Sequence, residues 1–395
     1  MSNQPLAGLR VIDLTQIYQG PYAAFLMAGA GAQVIKVEPP GGERLRGRGG
    51  AHTPLSFVML NSNKQSITLN LKAERGKDLL KTLVKDADVL LENYAPGVMD
   101  GLGLGWEVLH ALNPKLIYGS GTGYGLSGPD RDQLAMDHTI QAASGVMSMT
   151  GDPDRPPARA GGAPSDIMGG VHMYAGVMTA LVGRATTGIG TRVEVSMLEA
   201  MYFTLCSEFA AYHASGELPE RASGRSPAGA APYGRYCCQD DGWIAIICVA
   251  ESHWQSICRV IGKAELAADA NFAAAHLRKK RQAEIDAFIE AWSTTLPRDE
   301  AFAALREAKV PVAPVRNLEE VRSDPHLHAR GMLTRMQHPE LGEVVLPSSP
   351  IRYSEYGDHE VTFFPEPGAD NHQIYADLIG LNEGELLKLA ADGVI

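Results

Sequence analysis

What this chain has little of narrows it first. Its five cysteines (Cys206, Cys237, Cys238, Cys248 and Cys258) are odd in number and never spaced CxxC. Neither a disulfide framework nor a zinc site is indicated, and a reducing, cytoplasmic setting fits. No long run of Lys and Arg occurs, and the formal net charge is −11. Nucleic acid and anionic membranes are therefore not expected as main partners, and a polyanionic ligand needs a local cluster of cations. The longest apolar runs are broken by Gly or polar residues, and the opening Met-Ser-Asn-Gln-Pro lacks a signal-peptide pattern. Twelve histidines form no HExxH pair, so no metal site is expected. No internal repeat is visible.

What is present reads as alternating strands and helices. Leu9–Leu14, Gln33–Glu38, Ile67–Leu71, Asp88–Asn93, Lys115–Gly119 and Thr191–Ser196 have the apolar character of strands in a parallel sheet. Helices are expected between them, from Tyr22 to Ala30, with Pro21 at its first position, and from about Ala73 to Lys85. This rhythm predicts an α/β fold with a Rossmann-like sheet. The first strand-to-helix turn, Gln16–Pro21, lacks GxGxxG, which disfavours a nicotinamide dinucleotide. Further helices are expected at Met136–Gly145 and from Leu198 to about His213. Ser215–Ala231 is rich in Gly, Pro, Ser and Arg and reads as a linker. After it come a strand at Trp243–Val249, helices at Ser252–Ile261, Ala283–Thr295 and Arg298–Ala308, and at most an edge strand at Val310–Val315. At 395 residues two domains are expected: a large one from 1–215 and 326–395, and a smaller α+β one within 216–325.

The sharpest local signal is Ala163–Gly170, which opens a helix running to Arg184. Ile167, Val171, Tyr174, Met178 and Leu181 mark one face, while Met168, Met173, Val177 and Val182 make the others apolar, so burial all round is expected. Asp166 stands at its mouth as the expected N-cap, after Pro164. Backbone N–H groups and the helix dipole would keep such a carboxylate ionised even when mostly dry. A cap or a nucleophile both fit that position.

Taken together, several segments resemble the family III CoA-transferases, which include formyl-CoA transferase, carnitine CoA-transferase and the bile-acid-inducible enzymes. They are Gly8–Leu14, Gly20-Pro21, Val34–Pro39, Asn63–Lys72, Glu92–Gly97, Asp137 with Gln141–Gly145, Ser165-Asp166 and Thr187–Met197. The resemblance runs from about residue 6 to the end of the chain. It implies a CoA-binding domain built from both chain ends and an interlocked homodimer, each subunit a ring threaded through its partner. It implies that Asp166 is the catalytic nucleophile, with CoA or acyl-CoA bound as substrate and no tightly held cofactor. The positions matching CoA contacts are Ile17, Tyr18, Pro39, Leu69, Lys72, Asn93 and Tyr94, and Arg46 is a further candidate for a phosphate.

The chain departs from formyl-CoA transferase in three places. The glutamine over that enzyme's active centre aligns with Tyr18, with Gln19 next door; a phosphate-side arginine aligns with Gly101; and the glycine-rich lid has only Gly224–Gly234 as a counterpart. Formate and oxalate are accordingly not expected as substrates. Arg225 and Arg235 would instead hold the second carboxylate of a dicarboxylic acid. Two other readings share the scaffold. The α-methylacyl-CoA racemases pair the aspartate with a histidine, where this chain has Met136, which carries no proton to transfer; His138 lies two residues on. A CoA-binding partner subunit would not need Asp166.

Overall fold

The computed structural model describes residues 4–49, 53–221, 224–225, 231–338, 341–357 and 360–395. The chain divides into two compact units, one of 1–144, 161–203 and 324–395, the other of 145–160 and 204–323. In the first, six strands pair in parallel: β1 (Arg10–Asp13), β2 (Gln33–Glu38), β3 (Gln65–Thr68), β4 (Val89–Glu92), β5 (Ile117–Thr122) and β6 (Arg192–Ser196). Their spatial order is β3-β2-β1-β4-β5-β6.

Successive residues of each strand face opposite layers. Val11, Val34, Val89, Leu91 and Ile117 pack against the Gln19–Gly29 helix and the Pro164–Thr187 helix. Ile12, Ile35, Leu90 and Tyr118 pack against Leu79, Leu80 and Leu83 of the Glu74–Lys85 helix. Both faces are thus covered, which suits near-continuous apolar strands. The C-terminal segment closes the open edge of β3. Asp370 accepts from Ser66 N–H at 2.7 Å, Asn371 accepts from Thr68 N–H at 2.9 Å, and the Tyr375 hydroxyl donates to Thr68 O at 2.7 Å. The donors of an edge strand are satisfied in this way rather than left as a template for another chain.

The second unit holds an antiparallel sheet, β7 (Tyr233–Cys237), β8 (Trp243–Ile247) and β9 (Val312–Pro314), in that spatial order. Helices Glu251–Val260, Gln282–Ser293 and Arg298–Glu307 cover it, around a core of Tyr236, Ile244, Ile246, Trp254, Ile285 and Leu305. Proline-bearing β9 sits at the sheet edge, where a missing N–H is tolerated. A hairpin of β10 (Leu333–His338) and β11 (Gly342–Pro347) belongs to the first unit.

Several boundaries differ from the sequence expectation. The first helix begins at Gln19, so Pro21 is its third residue, still within the turn whose N–H groups lack partners. Strand β3 stops at Thr68, because Asn70 turns back, its Oδ1 accepting the Lys72 N–H at 3.1 Å. The Leu198–His213 segment is two helices, Met197–Tyr202 and Cys206–Ser215, joined by a 3-10 turn. Much of the Ser215–Ala231 linker and of the Gly224–Gly234 lid counterpart lies outside the described residues. The Pro164–Thr187 helix is not buried all round: Val171 and Val182 are exposed, because one face meets the sheet and the first helix while the other points away.

That helix approaches the first one through two glycines. A Cβ at Gly170 would lie 2.5 Å from the Gln19 carbonyl oxygen and 3.2 Å from Tyr22, so backbone passes close to backbone. Gly183, further along the same helix, has nothing within 4 Å. Gly170→Ala should lower the unfolding free energy by about 1–3 kcal/mol in denaturant titration. Gly183→Ala should leave it unchanged or raise it by about 0.5–1 kcal/mol.

Candidate active site

Strands β1 and β4 are neighbours at the point where the strand order reverses, and ligands of open parallel sheets bind at the carboxyl ends there. The chain leaving each strand is tied to the other. Gln16 N–H donates to Asn93 Oδ1 at 2.8 Å, and Asn93 Nδ2 donates to the Gln16 carbonyl at 2.9 Å. Ile17 follows with φ of 68°, a left-handed conformation strained for a β-branched residue. Its N–H donates to Glu43 Oε1 at 2.8 Å, which holds it there.

Beneath this loop lies a buried ionic network. Lys64 Nζ donates to Asp13 Oδ2 at 2.9 Å, Asn61 Oδ1 at 2.8 Å and the Pro21 carbonyl at 3.0 Å. Lys36 Nζ donates to the Thr15 carbonyl at 2.8 Å and pairs with Glu43 at 2.8 Å. Burial opposes the charge on Asp13, but the Lys64 and Lys36 ammonium groups outweigh it and hold its carboxyl below the usual range. Burial pushes the Lys64 ammonium down to about 8 even with Asp13 pulling the other way. Every charge here has a partner and a carbonyl or amide besides, which is what makes buried ions tolerable.

Asp166 is the third residue of the Pro164–Thr187 helix, and the N-cap is Ala163; this corrects the capping role expected of it. The first-turn N–H of Ser165 is taken instead by Asp137 Oδ1 at 2.8 Å, while Asp137 Oδ2 accepts from Gln141 at 2.7 Å. Among the described residues the Asp166 carboxyl has no hydrogen-bond partner, although it is 6 % exposed. Burial pushes its carboxyl up to about 7, and the Asp137 charge adds to the rise. The expectation that the helix end keeps this group fully ionised is therefore overturned: the dipole is present, but no N–H reaches the carboxylate. A desolvated carboxylate of raised pKa is the more basic, and the better, nucleophile.

Asp166 opens into a cavity of about 180 Å³ that is also lined by Ile17, Gln19, Asn93, Tyr94 and Arg131. Three of the CoA positions expected from sequence, Ile17, Asn93 and Tyr94, are thus gathered around the carboxyl. The Tyr94 turn is fixed by its own N–H donating to buried Glu92 at 2.9 Å. Tyr18 packs with Ile17 against Leu45, Phe57 and Phe364. Pro39 is exposed just beyond β2, Leu69 is buried in the core, and Lys72 is exposed with its ammonium unpaired among the described residues.

The three arginines expected as anion ligands are all engaged with carboxylates in this structure. Arg46 donates to both Glu38 oxygens at 2.7 and 2.8 Å and to the Pro365 carbonyl at 2.7 Å, lying over the Phe57 and Phe364 rings. Its guanidinium is thus largely buried and engaged with Glu38 in this structure. Arg225 pairs with Asp286 at 2.7 Å and Arg235 with Asp152 at 3.1 Å, so both guanidinium groups already have carboxylate partners. The cation that does line the cavity is Arg131, on a loop that composition alone did not single out. Met136 also lines it, at the N-cap of the Asp137–Ala143 helix, and His138 is exposed. Sequence reasoning also missed Gln19 as a cavity residue: nothing in a lone glutamine before Gly-Pro reports burial.

The family model described as CoA-transferase family III matches residues 6–372. A formyl-CoA:oxalate CoA-transferase of Streptomyces coelicolor is 36% identical over 100% of both chains. An acetyl-CoA:oxalate CoA-transferase of Acetobacter aceti is 38% identical over 92% of each. A succinyl-CoA–D-citramalate CoA-transferase of Chloroflexus aurantiacus is 35% identical over 99% of this chain and 98% of its own. Among solved structures, a CAIB/BAIF family protein from Brucella suis matches with a TM-score of 0.84 and 34% identity, over 95% of this chain and 100% of its own. A parallel sheet whose switch point shelters a buried aspartate, together with these relationships across the full length, places the chain in CoA-transferase family III, as an enzyme that moves CoA from an acyl-CoA to a carboxylate.

Proposed function

We propose that Asp166 is the covalent nucleophile of this CoA transfer. The observation that carries the reading is its unpaired, buried carboxyl facing a cavity lined by Ile17, Asn93 and Tyr94. One Asp166 oxygen attacks the thioester carbonyl, the C–S bond breaks, and CoA leaves as thiolate from a mixed anhydride. The thiolate returns to the aspartyl carbonyl and releases the first acid, and the incoming acid is then activated by the same steps in reverse. Each intermediate keeps the reactivity of the thioester, so the transfer needs no ATP. Water would hydrolyse the anhydride, and the dry setting of Asp166 protects it.

CoA lies along the carboxyl edge of the sheet, across Tyr18, Pro39, the backbone at Leu69 and Lys72 toward Asn93 and Tyr94, with the Lys72 ammonium available to a phosphate. The acceptor is a small dicarboxylic acid. In support, one relative is named for D-citramalate, and Arg131, whose Nε pairs with exposed Asp132 at 3.1 Å, lines the Asp166 cavity with a guanidinium that a second carboxylate can share. The working form is an interlocked homodimer in the cytoplasm, in which a second copy covers the outward apolar face at Val171, Val182 and Ile189. No helix among the described residues is long and apolar enough to cross a membrane.

Incubation with acyl-CoA followed by hydroxylamine or borohydride should modify Asp166, as read by peptide mass spectrometry. Asp166→Ala should lose transfer by at least about 10³-fold; an unlabelled Asp166 with full transfer activity would end this reading. No deuterium should enter the α-position of a 2-methylacyl-CoA in heavy water without an acceptor acid, whereas a racemase would exchange it.

The raised pKa sets a pH dependence. Between about 4 and 7 the unfolded chain releases a proton that folded Asp166 keeps, so stability falls as pH rises through this window and is level above it. Asp166→Asn should therefore raise the unfolding free energy by on the order of 2 kcal/mol at pH 8, and by almost nothing near pH 4. Acylation of the parent enzyme should climb with pH through about 7, as the carboxylate forms.

A further inference from the structure

One side chain in the Asp166 cavity has no part in the steps above. Gln19 opens the first helix at 2 % exposure, and its Nε2 is fully buried with no hydrogen-bond partner. Among the described residues its amide oxygen has none either. The side chain is nevertheless closely fitted. A Cβ at Gly169 would lie 2.9 Å from Nε2, and a Cβ at Gly121 would lie 2.9 Å from Oε1. The amide fills the gap between the end of β5 and the first turns of the helix that carries Asp166. Gly169 follows Asp166 by three residues, which puts the two on one side of that helix.

A buried amide without a partner costs about 1–3 kcal/mol, and native folds leave few such groups without a reason. Here an unpaired amide and a carboxylate without a donor line one cavity; Oε1 lies beside the cavity residue Gly121 and Nε2 beside Gly169, and a half-turn of the amide exchanges them, bringing the donor to the cavity. We propose that Gln19 is a catalytic residue whose Nε2–H donates to the carbonyl oxygen of the acyl-CoA thioester.

The proposal rests on Asp166 as nucleophile. As the Asp166 oxygen bonds to the carbonyl carbon, the π electron pair moves onto the carbonyl oxygen, and the Gln19 amide holds that oxyanion. The pair returns to re-form C=O, the C–S bond breaks, and CoA departs as thiolate. No proton is transferred, and the glutamine leaves the step unchanged. The donor meets the aspartyl carbonyl again when the thiolate comes back. A neutral amide suits this place better than a cation would: a Lys or Arg there would pair with Asp166, lower its pKa and blunt its nucleophilicity. A fixed donor in a dry cavity needs no reorganisation as charge develops.

The test is Gln19→Met, which keeps the length and removes both donors, beside the parent and Asp166→Ala. Oxyanion donation predicts a fall in kcat of about 10²–10³-fold. KM for acyl-CoA and the affinity for free CoA should stay within about threefold, and Tm should be no lower than the parent's, because an unsatisfied amide has gone. A kcat within about threefold of the parent would overturn the proposal. So would a Tm several degrees lower, since the amide would then be holding the fold together; this readout does not depend on turnover. Labelling of Asp166 in the parent separates the two ideas: a labelled Asp166 with an unimpaired Gln19→Met variant removes Gln19 alone, whereas transfer without label removes the nucleophile reading.

Discussion

The site depends on how closely two helices can pass. Gly169 and Gly170 let the Pro164–Thr187 helix press onto the start of the Gln19–Gly29 helix, with no side chain between Gly170 and the Gln19 carbonyl. The contact brings the third residue of one helix against the loop that leaves β1. Asp166 is dry because of it, and its elevated pKa follows from that dryness. Gly20 extends the same constraint: a Cβ there would fall 2.2 Å from Thr15, so the turn between strand and helix has no room for a side chain.

The loop pressed by this contact is held from below by charge rather than by apolar packing. Asp13, Lys64, Lys36 and Glu43 are all nearly inaccessible to water, and each finds a partner of opposite sign. Such a network adds little net stability compared with an apolar core of equal volume, but it has few alternative arrangements. Its geometric consequence is the strained Ile17 backbone, fixed by Glu43, and beside it the reciprocal bonds of Gln16 and Asn93. Residues far apart in the chain are thereby set at one edge of the sheet within reach of one ligand.

The strands were legible because a parallel sheet buried on both faces needs near-continuous Val, Ile and Leu, and β1, β2 and β4 have it. The Arg298–Glu307 helix and the edge position of β9 were equally plain, from periodicity and from the prolines. Boundaries set by side-chain bonds were not. Asn70 ends β3 three residues before the apolar alternation does, and a 3-10 turn divides a segment whose helical pattern is unbroken. Arg46 and Arg225 show the limit for charged groups. A guanidinium in a glycine-rich loop has the same sequence signature whether it awaits a phosphate or lies between two phenylalanines against a glutamate.

Local chemistry along the chain was enough to determine the α/β alternation, the candidacy of Asp166 at a helix start and, through the assembled motifs, the family. These are properties of neighbouring residues, and periodicity, turn residues and a capping position are all read within a few positions of one another. The ionisation of Asp166, the idle amide of Gln19 and the pairing of Arg46 were decided only by folding. Burial and partnership depend on residues tens to hundreds of positions away, and one Cβ more or less at Gly170 would alter them while leaving the local pattern almost untouched.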